Sequence, residues 1–149
     1  MTTIVHKWVT DCRNGVNPRL VCKIGSGWVV MGEAQFLSGY CLVLPDPVEP
    51  HLNTLTEERR IRLMHDVAIV GDAILAVTGA LRCNYEILGN QEPALHIHVF
   101  PRFSNEPEML RTKPVWFYDW NAAPRFDPQK DAQLLNSLRN FLKYAGIAC

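Results

Sequence analysis

A chain of 149 residues that is 48% hydrophobic is long enough to bury about two thirds of its unfolded surface, so we expect one domain spanning 1–149 rather than a disordered or multidomain chain. Fifteen basic and fifteen acidic residues cancel, which excludes an electrostatic footprint for long nucleic acid or an anionic membrane; a small anionic ligand needs only local donors. Five cysteines without a Cys-x-x-Cys pair argue against a disulfide framework and for a reducing cytoplasm, and the sequence has neither a leader-like apolar start nor a run near the roughly 20 apolar residues that cross a bilayer.

Residues 1–18 carry turn signals at Asn14-Gly15 and Asn17-Pro18 and little else. Segments 19–24 and 28–33, rich in β-branched and aromatic residues, flank Gly25-Ser26-Gly27 and read as a β-hairpin. A third apolar run, 40–44, follows Gly39 and ends at Pro45, so the three form an antiparallel meander. Thr54-Leu55-Thr56-Glu57 fits a capping box with Thr54 as N-cap, opening a helix that should run to about 78, where Gly79 can stop it. Leu63, Val67, Val70, Ile74 and Val77 fall at spacings of four and three and form its core stripe. His51, in the loop before it, reads as exposed.

A fourth strand over 82–88 leads through the turn Gly89-Asn90-Gln91-Glu92-Pro93 into the segment 93–103. There Leu95, Ile97 and Val99 alternate with His96, His98 and Phe100, a period-2 strand with one face in the core and two imidazoles on the other. Residues two apart on a strand point the same way at roughly 6.5–7 Å, so His96 and His98 can address neighbouring atoms of one ligand. Pro101 should end the ladder, and Arg102 supplies a positive charge just past it. His-x-His is also a metal-ligand pair, but no third ligand is usefully spaced, and the histidines can equally be structural. After a polar, irregular stretch 104–113 comes the most aromatic part of the chain, 114–120, which reads as packing against the sheet or a second subunit more than as a base-stacking platform. Asp127-Pro128 supplies an N-cap and first-turn proline for a last helix with Leu134, Leu135, Leu138, Phe141 and Leu142 on its apolar face, ending near Gly146.

The string Leu95-His96-Ile97-His98-Val99-Phe100-Pro101-Arg102, preceded by Gly89 in a loop after Asn84, resembles the signature of the histidine triad nucleotide hydrolases and transferases, whose strand reads His-x-His-x-His. Gly39-Tyr40-Cys41-Leu42-Val43-Leu44-Pro45 is similar to the family's Gly-His-x-Leu-Val-x-Pro strand, and Pro47-Val48-Glu49 extends the match. Two histidines are missing: Ala94 stands at the first triad position and Tyr40 where a further active-site histidine usually sits. The resemblance covers about residues 19–103. It implies an α+β fold with a five-stranded antiparallel sheet, helices packed on one face, and a homodimer.

The resemblance further implies that His96 attacks the α-phosphorus of a nucleotide and becomes a nucleotidyl-imidazole, which water then releases. His98 would contact the phosphate, as would Asn84, Gly89, Gln91 and Arg102, with Tyr40 near the site. Substrates would be dinucleoside polyphosphates, as for diadenosine polyphosphate hydrolases, nucleoside phosphoramidates or nucleotidyl sugars, with no cofactor and no metal. The chemistry agrees, because an imidazole with an ordinary pKa near 6.5 is mostly neutral and nucleophilic at about pH 7. The incomplete triad leaves open a protein that binds nucleotides and turns them over slowly or not at all. The metal site is the third reading, and a chelator-controlled activity assay separates the three.

Overall fold

The computed structural model describes residues 2–149. Five strands, β1 (Leu20–Ile24), β2 (Gly27–Met31), β3 (Cys41–Pro45), β4 (Arg82–Glu86) and β5 (Ile97–Arg102), form one antiparallel sheet in the order β1-β2-β3-β5-β4. The expected meander is β1-β2-β3, turning at Gly25-Ser26, and β5 then inserts between β3 and the edge strand β4. The helices are α1 (Ile4–Arg13), α2 (Glu57–Thr78), the single turn α3 (Glu108–Arg111) and α4 (Ala132–Tyr144). None among the described residues is long and apolar enough to cross a membrane.

The strand period sorts β5 as the sequence indicates. Ile97 and Val99, with Leu95 just before them, join Leu63, Val67, Val70 and Ile74 of α2 and Leu138 and Leu142 of α4 in one buried cluster. Phe100 goes to the other face, with Trp28, Val30, Leu42 and Leu44. That second face is also covered: Val5, Val9 and Cys12 of α1 pack there, as do Val115 and Trp120 of the aromatic segment. The two long helices therefore share one face, and α1 with the aromatic segment closes the other. Although sequence patterning leaves residues 1–18 without an element, Thr3 caps α1 by accepting from the His6 N–H, and the Thr3 N–H donates to His6 Nδ1 at 3.1 Å. Histidine takes the place that glutamate or glutamine holds in the familiar capping box.

Three boundaries differ from expectation. Thr56, not Thr54, caps α2, accepting from the Arg59 N–H; the Thr54 hydroxyl is already spent on the His51 carbonyl at 2.7 Å. Gly79 does end α2, in the left-handed conformation at φ 71°. Asp127 caps only a turn, accepting from the Gln129 and Lys130 N–H groups, and α4 starts at Ala132. Pro101 does not end the ladder either; it pairs with Cys83 of β4. Since the Arg102 carbonyl accepts from Leu81 on the β4 side, the nitrogen of Pro101 faces β3, whose pairing already stops at Val99. The missing N–H costs nothing there.

Candidate active site

His96 immediately precedes β5 and His98 lies within it, both on the face away from α2 and α4. His96 is only 8% exposed, and its Nδ1 lies 2.7 Å from the Ala94 carbonyl oxygen. A carbonyl can only accept, so Nδ1 carries the proton and Nε2 keeps its lone pair. Ala94 thus holds the tautomer through its backbone carbonyl. His98 Nδ1 lies 2.7 Å from the Tyr40 hydroxyl. Tyr40 is buried, stacked on Phe100 at 4.1 Å, and burial pushes its phenol far above its usual pKa. A phenol that stays protonated can donate to His98 Nδ1, and in that tautomer His98 presents Nε2–H as a donor. The two rings sit 4.9 Å apart at 72°, so a lone pair and that N–H donor stand side by side.

Burial, and secondarily His96, lower the His98 pKa from 6.5 to about 4, so the ring is neutral through the physiological range. The folded value is depressed below the unfolded one, so the unfolded chain binds the extra proton between pH 6.5 and pH 4. Stability is therefore fully present above pH 6.5 and falls as pH drops through that window, by about 3 kcal/mol for this group. Urea titrations at pH 7 and pH 4 should show that loss, and His98→Asn should reduce the difference between the two.

A cleft of about 270 Å³ opens over these rings. Tyr40 and Gln91 line it, with Trp8, Glu92 and Trp120 on its walls. Glu92 ties the loop to α1, accepting from the Ile4 N–H at 2.6 Å. The structure therefore gathers His96, His98, Tyr40 and Gln91. Gly89, at φ 86°, serves the turn and does not line the cleft. Asn84 and Arg102 lie on the same sheet face but further along it, in a neighbouring pocket.

Arg102 departs most from the expected role. It is 7% exposed, and its guanidinium is fully engaged by Glu106, by Asn84 Oδ1 at 2.8 Å, and by the carbonyls of Leu110, Arg111 and Lys113. No donor is left for a phosphate at the histidines. Arg102 instead pins the 104–113 loop to the sheet.

Two contributors escape sequence reasoning. Trp116 sets its edge against His98 at 5.5 Å, and its Nε1–H is bonded to Glu86, the residue opposite His98 on β4. The aromatic richness of 114–120 signals packing there but not which ring meets the site. Gly32 donates its N–H to the Tyr40 carbonyl at 2.9 Å, and a Cβ on it would lie 2.1 Å from the Tyr40 ring. Nothing in the local sequence distinguishes it from an ordinary loop glycine. Among the described residues no group of three or more histidine, cysteine or acidic side chains converges to hold a metal, and all five cysteines are free thiols.

No protein-family model and no curated protein matches the chain. Solved structures do. A histidine triad protein from Sinorhizobium meliloti superposes with a TM-score of 0.72 at 20% identity over 83% of this chain and 88% of its own. One from Marinobacter aquaeolei gives 0.72 at 18% over 84% and 88%, and a hypothetical histidine triad nucleotide-binding protein from Sulfolobus tokodaii gives 0.72 at 14% over 93% and 92%. With the sheet order, the paired imidazoles and these superpositions in agreement, the chain has the histidine triad fold.

Proposed function

We propose that the protein is a nucleotide hydrolase or nucleotidyl transferase that works at an α-phosphate through a nucleotidyl-His96 intermediate. The observation that carries this reading is the His96 Nδ1–H bond to the Ala94 carbonyl, which aims a free Nε2 lone pair into the cleft. His96 Nε2 forms a bond to the α-phosphorus while the bond from phosphorus to the leaving group breaks, an oxygen departing as the phosphate anion and a nitrogen taking its proton from solvent. Water then attacks the phosphorus, releasing the nucleoside monophosphate and restoring the neutral ring; an acceptor other than water makes the reaction a transfer. His98, neutral and presenting Nε2–H, hydrogen-bonds a non-bridging phosphate oxygen, whose charge grows in the transition state. Ala94 offers the leaving group no proton, so substrates with good leaving groups are favoured, and loss of a positioned acid is worth about 10²–10⁴-fold on poor ones. Dinucleoside polyphosphates and nucleoside phosphoramidates are the substrate classes this chemistry fits. The S. tokodaii relative is described as nucleotide-binding, which supports the same ligand class here.

The test is to trap the intermediate. Incubation with a fluorogenic adenosine phosphoramidate, quenched without acid, should yield one adenylyl group on the His96 peptide by mass spectrometry. Turnover with no adduct, or an adduct elsewhere, removes the proposal.

A metal centre is the second reading, because a histidine triad protein from Mycobacterium smegmatis is zinc-bound, at a TM-score of 0.62 and 18% identity over 89% of this chain and 91% of its own. His96 offers a metal its Nε2 lone pair, and His98 offers its Nε2 only in the tautomer whose Nδ1–H donates to the Tyr40 hydroxyl. Turnover should survive excess chelator; zinc lost together with activity on dialysis would favour the metal reading.

The protein also functions, we infer, as a homodimer. Ile61 and Met64 of α2 are 65% and 41% exposed, and Tyr85 and Leu88 expose further apolar surface on and beside edge strand β4. An isologous contact would cover that surface. Light scattering should return twice the chain mass at micromolar concentration.

A further inference from the structure

A cavity of about 590 Å³, larger than the histidine cleft, lies beside it on the same sheet face. The β4–β5 register fixes the relation: Glu86 stands opposite His98, Asn84 opposite Phe100 and Arg82 opposite Arg102, so the cavity runs two side-chain repeats, roughly 13 Å, beyond His98. Glu86, which accepts from Trp116 Nε1–H, lines the cavity at its end nearest His98.

The floor is built and internally satisfied. Arg102 gives its donors to Glu106, Asn84 and three carbonyls of the 110–113 stretch, which pulls that stretch over the strand and fixes the backbone that carries Arg111 and Lys113. Asn84 Oδ1 accepts from Arg102, and its amide nitrogen has no hydrogen-bond partner among the described residues. Three exposed cations, Arg82, Arg111 and Lys113, line the cavity; none of their side chains makes a hydrogen bond or ion pair with a described residue, and the Lys113 ammonium lies over the Phe117 ring at 5.4 Å. The lining also holds two carboxylates: Glu106 is ion-paired with Arg102, and Glu86 keeps its charge at the end nearest His98, so four cations, Arg102 included, face two carboxylates. Glu86 accepts from Trp116, and Glu106 accepts from Arg102, from the Tyr118 hydroxyl at 2.7 Å and from the Phe103 N–H at 2.7 Å. A concave pocket in a chain of zero net charge thus gathers three cations outside any ion pair and an amide donor around one volume.

We propose that this pocket, ringed by Arg82, Arg111 and Lys113 over the Asn84–Arg102 floor, binds a polyphosphate group. Three cations around one volume call for a ligand with several negative charges close together, and the two guanidinium forks match paired phosphate oxygens. The size holds a small molecule and not a nucleic-acid strand. The group has two sources: the distal phosphates of a nucleotide whose α-phosphate sits at His96, which rests on the function proposed above, or a separate polyphosphate that binds for itself.

Isothermal titration with inorganic tripolyphosphate in metal-free buffer tests this without any turnover. The wild-type protein should bind it one to one, and the variant carrying Arg82→Ala, Arg111→Ala and Lys113→Ala should bind about tenfold or more weakly. All three residues are exposed and outside any ion pair, so the variant should keep the wild-type circular dichroism spectrum. Lys130→Ala, on the turn before α4, should leave the affinity unchanged. His96→Ala should leave it unchanged too, which keeps the proposal separate from the fate of the nucleophile. Repeating the titration in saturating adenosine monophosphate distinguishes the sources: weakened binding marks a shared substrate path, and undiminished binding marks an independent anion site. Absence of saturable binding, or a triple variant within twofold of wild type, overturns the proposal.

Discussion

His96→Ala or His96→Gly is expected to abolish turnover of an adenylated fluorogenic substrate, with kcat/KM falling by about 10³-fold or more. On the proposed mechanism the nucleophile has no substitute in the cleft, because His98 is engaged with Tyr40 and Tyr40 itself stays a phenol. The loss should fall on the chemical step, since the walls at Trp8, Gln91 and Trp120 remain in place and nucleotide binding persists. Steady-state kinetics, with circular dichroism to check folding, decides it. Activity within tenfold of wild type would mean that His96 is not the attacking group.

The pairing pattern was legible because it is carried by local signals. Gly25-Ser26 between two β-rich runs gives the first hairpin, and the three-and-four spacing from Leu63 to Ile74 gives the buried stripe of α2. The histidines were legible because period 2 places both on one face whatever the exact strand start. What escaped depends on partners far away in sequence. Helix α1 needs Glu92, 88 residues on, at its N-terminus and the sheet face beneath Val5 and Val9. Arg102 reads as a free charge beside a phosphate site, and only the folded 104–113 loop reveals that its donors are consumed. Asn84 likewise reads as a phosphate contact from its place before the loop, yet it faces Arg102. Residue type announced the chemistry of these side chains, and tertiary placement decided whom they meet.

Arg102→Met is expected to destabilise the fold by about 3–5 kcal/mol, the cost of stranding a buried charge. The charge in question is Glu106, 8% exposed. Burial alone pushes its pKa up, but hydrogen bonds from Arg102, Tyr118 and the Phe103 N–H more than reverse this and hold it below the usual carboxylate value. Remove the guanidinium and the carboxylate loses its main counter-charge, while Asn84 Oδ1 and three loop carbonyls lose their donor. Urea denaturation at pH 7 measures the loss. The double variant Arg102→Met with Glu106→Gln should recover part of it, because no stranded charge then remains. An Arg102→Met protein as stable as wild type would show that the buried pair contributes nothing to the fold. Because Arg102 also anchors the loop, the variant should be more sensitive to protease between 104 and 113.

Gly32 and Tyr40 are two halves of one fitted contact: the phenol ring occupies the space a side chain at position 32 would need. A tyrosine at position 40 therefore demands a bare backbone at position 32, so the two positions should tolerate change only together. Alanine arriving first would shut out the ring; a smaller residue at position 40 would release the glycine from its constraint. Inheritance at these two sites should thus be joint, so that a descendant chain with a bulkier residue at 32 would also be one whose second imidazole has lost its phenol and must find another partner.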